Sequence, residues 1–216
     1  MRQGSDMSVF RKTSIILASI AMFGVSACVS PAKQSIAEVE AGNYTLDKSH
    51  ASLVFSVKHM GLAWYTMRFD EFDATINFDS ENPENSSVSA VVNPKSISAN
   101  HPDQGKEWDE ELANDDRFLA ANTFPDITFN SSSVSVTGDN TGYITGDLSL
   151  LGVTKPISLE VTFNGSNSVP WAPGKTIIGF SAKGSFNRSD FGMDVYIPNT
   201  VSDEVRFQIE AEFGEN

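Results

Sequence analysis

The stretch "VSDEVRFQIEAEF" (residues 201–213) sets Val205, Phe207, Ile209, Ala211 and Phe213 in strict alternation with Arg206, Gln208, Glu210 and Glu212. A period of two places the apolar set on one face and the polar set on the other, the pattern of a β-strand with one side in water. "PISLEVTF" (156–163) repeats it through Ile157, Leu159, Val161 and Phe163, and "LVFSVKH" (53–59) through Leu53, Phe55, Val57 and His59. Five further strands are predicted at 65–79, 87–93, 126–137, 142–151 and 176–187. Clusters of Gly, Asn, Asp, Ser and Pro separate the strands, as in "DSENPENSS" (79–87), "TGDNTG" (137–142) and "NGSNSVPWAPG" (164–174). Within 65–79 the apolar phase shifts between Phe69 and Phe72, which predicts a bulge or bend.

One stretch departs from the strand pattern. "QGKEWDEELANDDRFLAA" (104–121) predicts a helix with Trp108, Leu112 and Phe118 inward, ending before Pro125 because the residue ahead of a proline avoids helical angles. The fold class is therefore all-β, with eight antiparallel strands and one helical insertion. Eight is the number at which a closed barrel is filled by its own side chains or holds one small ligand. Closure also removes exposed edges. A two-sheet sandwich is the competing architecture, and periodicity alone does not separate the two. Strands of about 8–10 residues, tilted by roughly 35–45°, would make a barrel only about 20–25 Å tall.

The N-terminal segment reads differently. Arg2, Arg11 and Lys12 precede an apolar run that ends at "VSAC" (25–28), with Cys28 the single cysteine of the chain. A basic start, a short apolar core and small residues before a cut describe a secretory signal. The run is too short to cross a bilayer comfortably. Val25-Ser26-Ala27 before Cys28 resembles the lipobox of bacterial lipoproteins, in which the cysteine takes acyl chains such as palmitate and becomes the first mature residue. The chain divides accordingly into a signal peptide (1–27), a lipidated tether (28–42) and a barrel domain (43–216). The expectation is an exported, periplasmic lipoprotein. Val29 lacks the inner-membrane retention aspartate, which favours the outer membrane.

Composition narrows the function. With one cysteine there is no disulfide framework and no thiolate metal site. A net charge of −13 argues against nucleic acid, whose binding rests on Lys and Arg. It likewise disfavours adsorption to anionic headgroups. No nucleophile elbow, zinc-protease helix motif or phosphate loop is present, so no catalytic residue, metal or cofactor is expected. His50, His59 and His101 lack the helical i, i+4 spacing of a metal pair, and His50 and His59 are expected near the two ends of the first core strand. "WDEELANDD" (108–116) reads as a solvated acidic face, and Arg68, Arg117, Arg188 and Arg206 are the few candidates to meet a phosphate. Gly192 in "RSDFGMD" is expected to take an unusual backbone angle. Fifteen phenylalanines, many on inward faces, fit a solid core and a hollow barrel equally well.

Five stretches together carry a family resemblance: "LDKSHASLVFSVKHMG" (46–61), "FPDITFNS" (124–131), "ITGDLSLLGVTKPISLEV" (144–161), "GSFNRSDFGMD" (184–194) and "VSDEVRFQIEAEF" (201–213). In this order they resemble the YceI-like family over about residues 43–214. The resemblance implies an eight-stranded, antiparallel, lipocalin-like barrel that holds a long isoprenoid or acyl lipid, is exported, often forms a homodimer, and has no catalytic residues. Strand alternation gives Leu53, Phe55, Val57, His59, Ile157, Leu159, Val161, Phe163, Phe207 and Ile209 as the candidate lumen residues of such a barrel. Cys28 is the expected membrane anchor. Family members commonly carry Arg-Asp-x-His-Leu in the helical insertion, where this chain has Trp108-Asp109-Glu110-Glu111-Leu112. Loss of the Arg and His favours a neutral ligand, a quinone or a lipid amide, over a polyprenyl phosphate. The competing readings are a lipid-modifying enzyme using His50 or His59, and a filled barrel acting as an envelope interaction module.

Overall fold

The computed structural model describes residues 35–168 and 174–216. The signal peptide, Cys28 and the start of the tether lie outside the described residues. The strands are β1 (Gly42–His59), β2 (Ala63–Phe69), β3 (Phe72–Phe78), β4 (Ser87–Val92), β5 (Ile97–Ser98), β6 (Ile127–Gly138), β7 (Thr141–Leu150), β8 (Val153–Ser168), β9 (Thr176–Asn187) and β10 (Val201–Glu215). A single helix, α1 (Gly105–Asn114), stands between β5 and β6 among the described residues.

These ten segments make eight staves of a closed barrel. β2 and β3 both run antiparallel to β1, with Leu53 opposite Phe69 and Thr45 opposite Thr75, so they are one broken stave. β4 and β5 are likewise halves of one, pairing with β3 and β2. From there the order is a simple meander, and β10 returns to pair with β1, Phe55 against Phe207 and Leu46 against Phe213. The sandwich is thereby excluded.

The phase shift in 65–79 has a definite structure. Asp70 and Glu71 leave the ladder, and their N–H groups donate to the Ser96 carbonyl at 3.0 Å and to Ser96 Oγ at 2.9 Å. β1, β8 and β10 run 18, 16 and 15 residues, well beyond the length expected from sequence. At about 3.3 Å per residue the barrel is correspondingly taller than 20–25 Å.

The helix is shorter than its pattern predicts, stopping at Asn114 instead of Ala121. Asp115 takes extended angles, and its carboxylate accepts from Arg117 N at 2.8 Å and Arg117 Nε at 2.9 Å. A short acidic side chain that bonds local N–H groups competes with helical bonding. The same contacts to Arg117 hold the Asp115 carboxyl down at about 2. The following turns still bury Phe118, Leu119, Ala120 and Ala121. Gly192 ends the 3-10 turn Arg188–Phe191 with φ +86°, the left-handed region anticipated for it.

Two apolar clusters stack along the barrel. The lower one, at the end where β1 begins and β10 ends, centres on Tyr44, Phe78, Phe163, Ile178 and Phe213, with Phe180 packed among them. Phe163 and Phe180 lie 5.5 Å apart, Phe78 and Phe180 6.3 Å, and Phe180 and Phe213 6.2 Å, the range of favourable ring pairs. Ile36 and Val39 close this end, and Val39 is only 4 % exposed. The stretch 28–42 read as tether therefore packs onto the barrel from Ile36 onward. The upper cluster joins α1 to β2, β5 and β7 through Leu112, Phe118, Phe69, Ile97 and Leu148.

Tyr44 is completely buried, and its hydroxyl donates to the Glu40 carbonyl at 2.7 Å. Burial, with the charges of Glu215 and Glu40, pushes the phenol up from 10.0 to about 12. A raised folded-state value means that the stabilisation is intact below pH 10 and is lost as pH rises through about 12. Wild type is therefore expected to lose stability over this alkaline window, and Tyr44→Phe to flatten that part of the profile. Urea midpoints measured across the window test this.

Candidate ligand-binding cavity

The barrel is hollow. An upper chamber of about 650 Å³ is bounded by β1, β2, α1 and the segment 188–201, and a lower chamber of about 190 Å³ by β3, β4, β6, β7 and β8. Leu53, Ala90, Val92, Phe129, Leu159 and Ile209 line both, so the chambers meet at a waist formed by these six side chains. The upper volume falls in the range of about 300–1,000 Å³ typical of small-molecule sites.

Glycines explain part of the hollowness. Phe207 faces Gly184 across the β10–β9 ladder, and a Cβ at Gly184 would stand 2.6 Å from Phe207 Cζ. A Cβ at Gly146 would stand 2.5 Å from Phe129 Cζ. Both rings therefore lie over bare backbone along the wall instead of projecting into the lumen. Inward aromatic residues here do not amount to a filled core.

All ten candidate lumen residues lie on the chamber walls. Phe55, Val57, His59, Ile157 and Phe207 border the upper chamber, Val161 and Phe163 the lower, and Leu53, Leu159 and Ile209 both. Phase reading from isolated strands did not reach Met67, Phe69, Leu148, Arg188 or Tyr196, which share the upper wall. Met67 and Phe69 sit on the broken stave, and Arg188 and Tyr196 in an irregular segment with no period to read.

The walls are almost wholly apolar, and no Asp or Glu is among the lining residues of either chamber. The few polar side chains lie in both chambers, Ser86, Ser87, Ser135, Asn140 and Thr141 in the lower, and His59, His101, Gln104, Arg188 and Thr200 in the upper, which holds all the lining histidines and the lining arginine. His101 Nδ1 accepts from the backbone N–H of Gln104 at 3.1 Å. Trp108 stands between His101 and Phe118, at 6.4 and 6.1 Å. Asp109, the acid kept from the family pattern, is structural: it accepts from Ala99 N at 2.7 Å and ties α1 to the end of β5. Tyr65 donates to the Ala99 carbonyl at 2.7 Å, and burial, with the Asp109 charge, raises its phenol.

His50 is not at a strand end. It stands in the middle of β1, where residues 47–50 bulge out opposite Glu212. Its Nδ1 lies 2.9 Å from Asp47 Oδ2, and hydrogen bonding to Asp47, then the charges of Asp47 and Glu212, raise its pKa. The ligand atoms of Asp47, His50 and Glu212 lie within 4.8 Å of one another. The sequence conceals this trio because its third member comes from the far end of the chain. It is on the outer surface, so among the described residues the histidine–carboxylate pair and the cavity are separate.

A closed antiparallel barrel of eight staves, hollow and apolar within and bearing one helix, is a lipocalin-like barrel. The YceI-like domain signature matches residues 44–213, and the chain belongs to that family. Protein YceI of Shigella flexneri is 39 % identical over 155 residues, covering 71 % of this chain and 77 % of that protein. The crystal structure of the Campylobacter jejuni YCEI protein superposes with a TM-score of 0.62 at 27 % identity, covering 74 % of this chain and 90 % of that one. A Saccharophagus degradans domain, described as polyisoprenoid binding and implicated in plant cell wall breakdown, shares the fold. Its TM-score is 0.57 at 12 % identity, over 82 % of this chain and all of that one (100 %).

Proposed function

We propose that the protein sequesters or carries a long apolar lipid in its barrel, an isoprenoid of quinone type or an acyl amide, with no chemical step. The observation that carries this reading is the two-chambered apolar cavity, which offers a long chain a dry path past the waist. Burying ten methylene equivalents is worth about 8 kcal/mol. Association losses of about 4 kcal/mol or more leave usable affinity from the tail alone. Family membership and the polyisoprenoid-binding description of the S. degradans domain support the same ligand class. Export, acylation at Cys28 and attachment to the outer membrane complete the proposal, with the protein acting alone or as a homodimer.

A lipid-modifying enzyme using His50 or His59 would need a histidine–carboxylate pair facing the lumen, and no carboxylate is among the lining residues. A filled interaction module would need a packed interior, which an upper chamber of about 650 Å³ does not provide. The test is mass spectrometry of an organic extract of the purified, exported protein. A stoichiometric prenyl quinone or lipid amide is the expected result. A barrel that is empty and also refuses such lipids when offered them would overturn the reading.

A further inference from the structure

Arg188 is one of two buried polar or charged residues among those described, at 4 % exposure, and it forms part of the upper chamber wall. Its Nε donates to the Ser202 carbonyl at 2.9 Å and its Nη2 to the Val195 carbonyl at 2.7 Å. These bonds pin the guanidinium between the start of β10 and the irregular segment before it. It forms no ion pair with a described carboxylate, unlike Arg68, Arg117 and Arg206. The Asp203 carboxylate is instead taken by Ser189 N and Ser189 Oγ, at 2.9 and 2.7 Å.

The remaining nitrogen, Nη1, has no hydrogen-bond partner among the described residues. Every buried side-chain nitrogen or oxygen described does have one, so Nη1 touches open space. A buried cation is expensive unless its donors are matched. Desolvation pulls Arg188 below its ordinary value, and the more distant charges of Asp203 and Asp194 offset this only in part. What an apolar chamber needs from such a residue is orientation of an amphipathic guest, since a few placed polar groups fix the pose of a ligand held mainly by burial.

We infer that Arg188 is the headgroup anchor of the cavity, its free Nη1–H donating to a carbonyl oxygen of the bound lipid while the chain runs from the upper chamber toward the waist. Both donors already in use are satisfied by neutral carbonyls. A quinone or amide oxygen supplies the same acceptor. Asp194 and Asp203 already supply longer-range negative charge. This inference rests on the lipid-binding reading and specifies which end of the lipid lies where.

The experiment compares dissociation constants of the purified protein for two matched pairs: a prenylated quinone against the prenyl hydrocarbon of equal length, and a fatty amide against the alkane of equal length. A charge-assisted hydrogen bond in a dry site supports a preference of about ten- to a hundredfold for the headed lipid. The pair that binds identifies the chain class. In Arg188→Met that preference is expected to collapse to within about twofold. Persistence of the preference in Arg188→Met, or its absence in wild type that binds the hydrocarbons, would overturn the anchor and leave the carrier. Failure of wild type to bind any of the four overturns the carrier and the anchor with it. Should Arg188→Met not fold, the side-chain NH resonances of Arg188 in wild type decide. They should move on adding the headed lipid and stay still on adding the hydrocarbon, and equal responses would sink the inference.

Discussion

Ala90→Phe is expected to cut the affinity for long-chain lipids by about a hundredfold while leaving short-chain lipids nearly unaffected. Ala90 faces inward from β4 at the waist, opposite Ala74 on one side and Phe129 on the other. A ring there would fill the passage between the chambers. Each methylene kept from burial forfeits about 0.8 kcal/mol, so exclusion of three or four costs about 3 kcal/mol, and each 1.4 kcal/mol is tenfold. The measurement is dissociation constant against chain length. Wild-type affinity should keep rising past the length at which the variant reaches a plateau. Parallel curves for the two proteins would mean that a bound chain does not pass the waist.

Phe163→Ala is expected to destabilise the barrel by about 3–5 kcal/mol, a large share of the 5–15 kcal/mol a domain ordinarily has. Phe163 is 3 % exposed and packs on Phe180 in the lower cluster, where its removal leaves a void that a closed sheet cannot collapse to fill. Phe207→Ala is the contrast. That ring is only partly buried, whereas Phe163 is buried within an aromatic cluster, so loss of Phe207 removes less packing and should cost less than half as much. Urea unfolding with unchanged slope and a shifted midpoint gives both values. Equal costs would show that the two halves of the barrel are packed alike.

Much of this molecule is legible in its strands. The alternation in 201–213 placed Val205, Ala211 and Phe213 in the core with Glu210 and Glu212 outside, as observed. The discontinuity between Phe69 and Phe72 was visible because a phase slip moves every later side chain to the other face. What the sequence hid has common physical causes. Whether inward phenylalanines fill a lumen or line it depends on where their rings lie, and Gly146 and Gly184 govern that from neighbouring strands. Arg188 looked like any other arginine, because its burial follows from backbone carbonyls at 195 and 202 that no periodicity announces. The helix overran because Asp115 and Asp116 sit in a sequence whose apolar spacing continues through Phe118, and spacing does not register a carboxylate that prefers a local turn.

Closure of the sheet also governs the order of events at birth. The first and last staves are neighbours, and Thr45 Oγ1 bonds Asn216 Oδ1 across 171 residues of chain. Contacts of such separation are made only after a long loop has been closed, which slows folding. On the export route proposed above, β1 would reach the far side of the membrane first and wait, half-paired and greasy on one face, until β10 arrived. An exposed edge of this kind invites wrong partners.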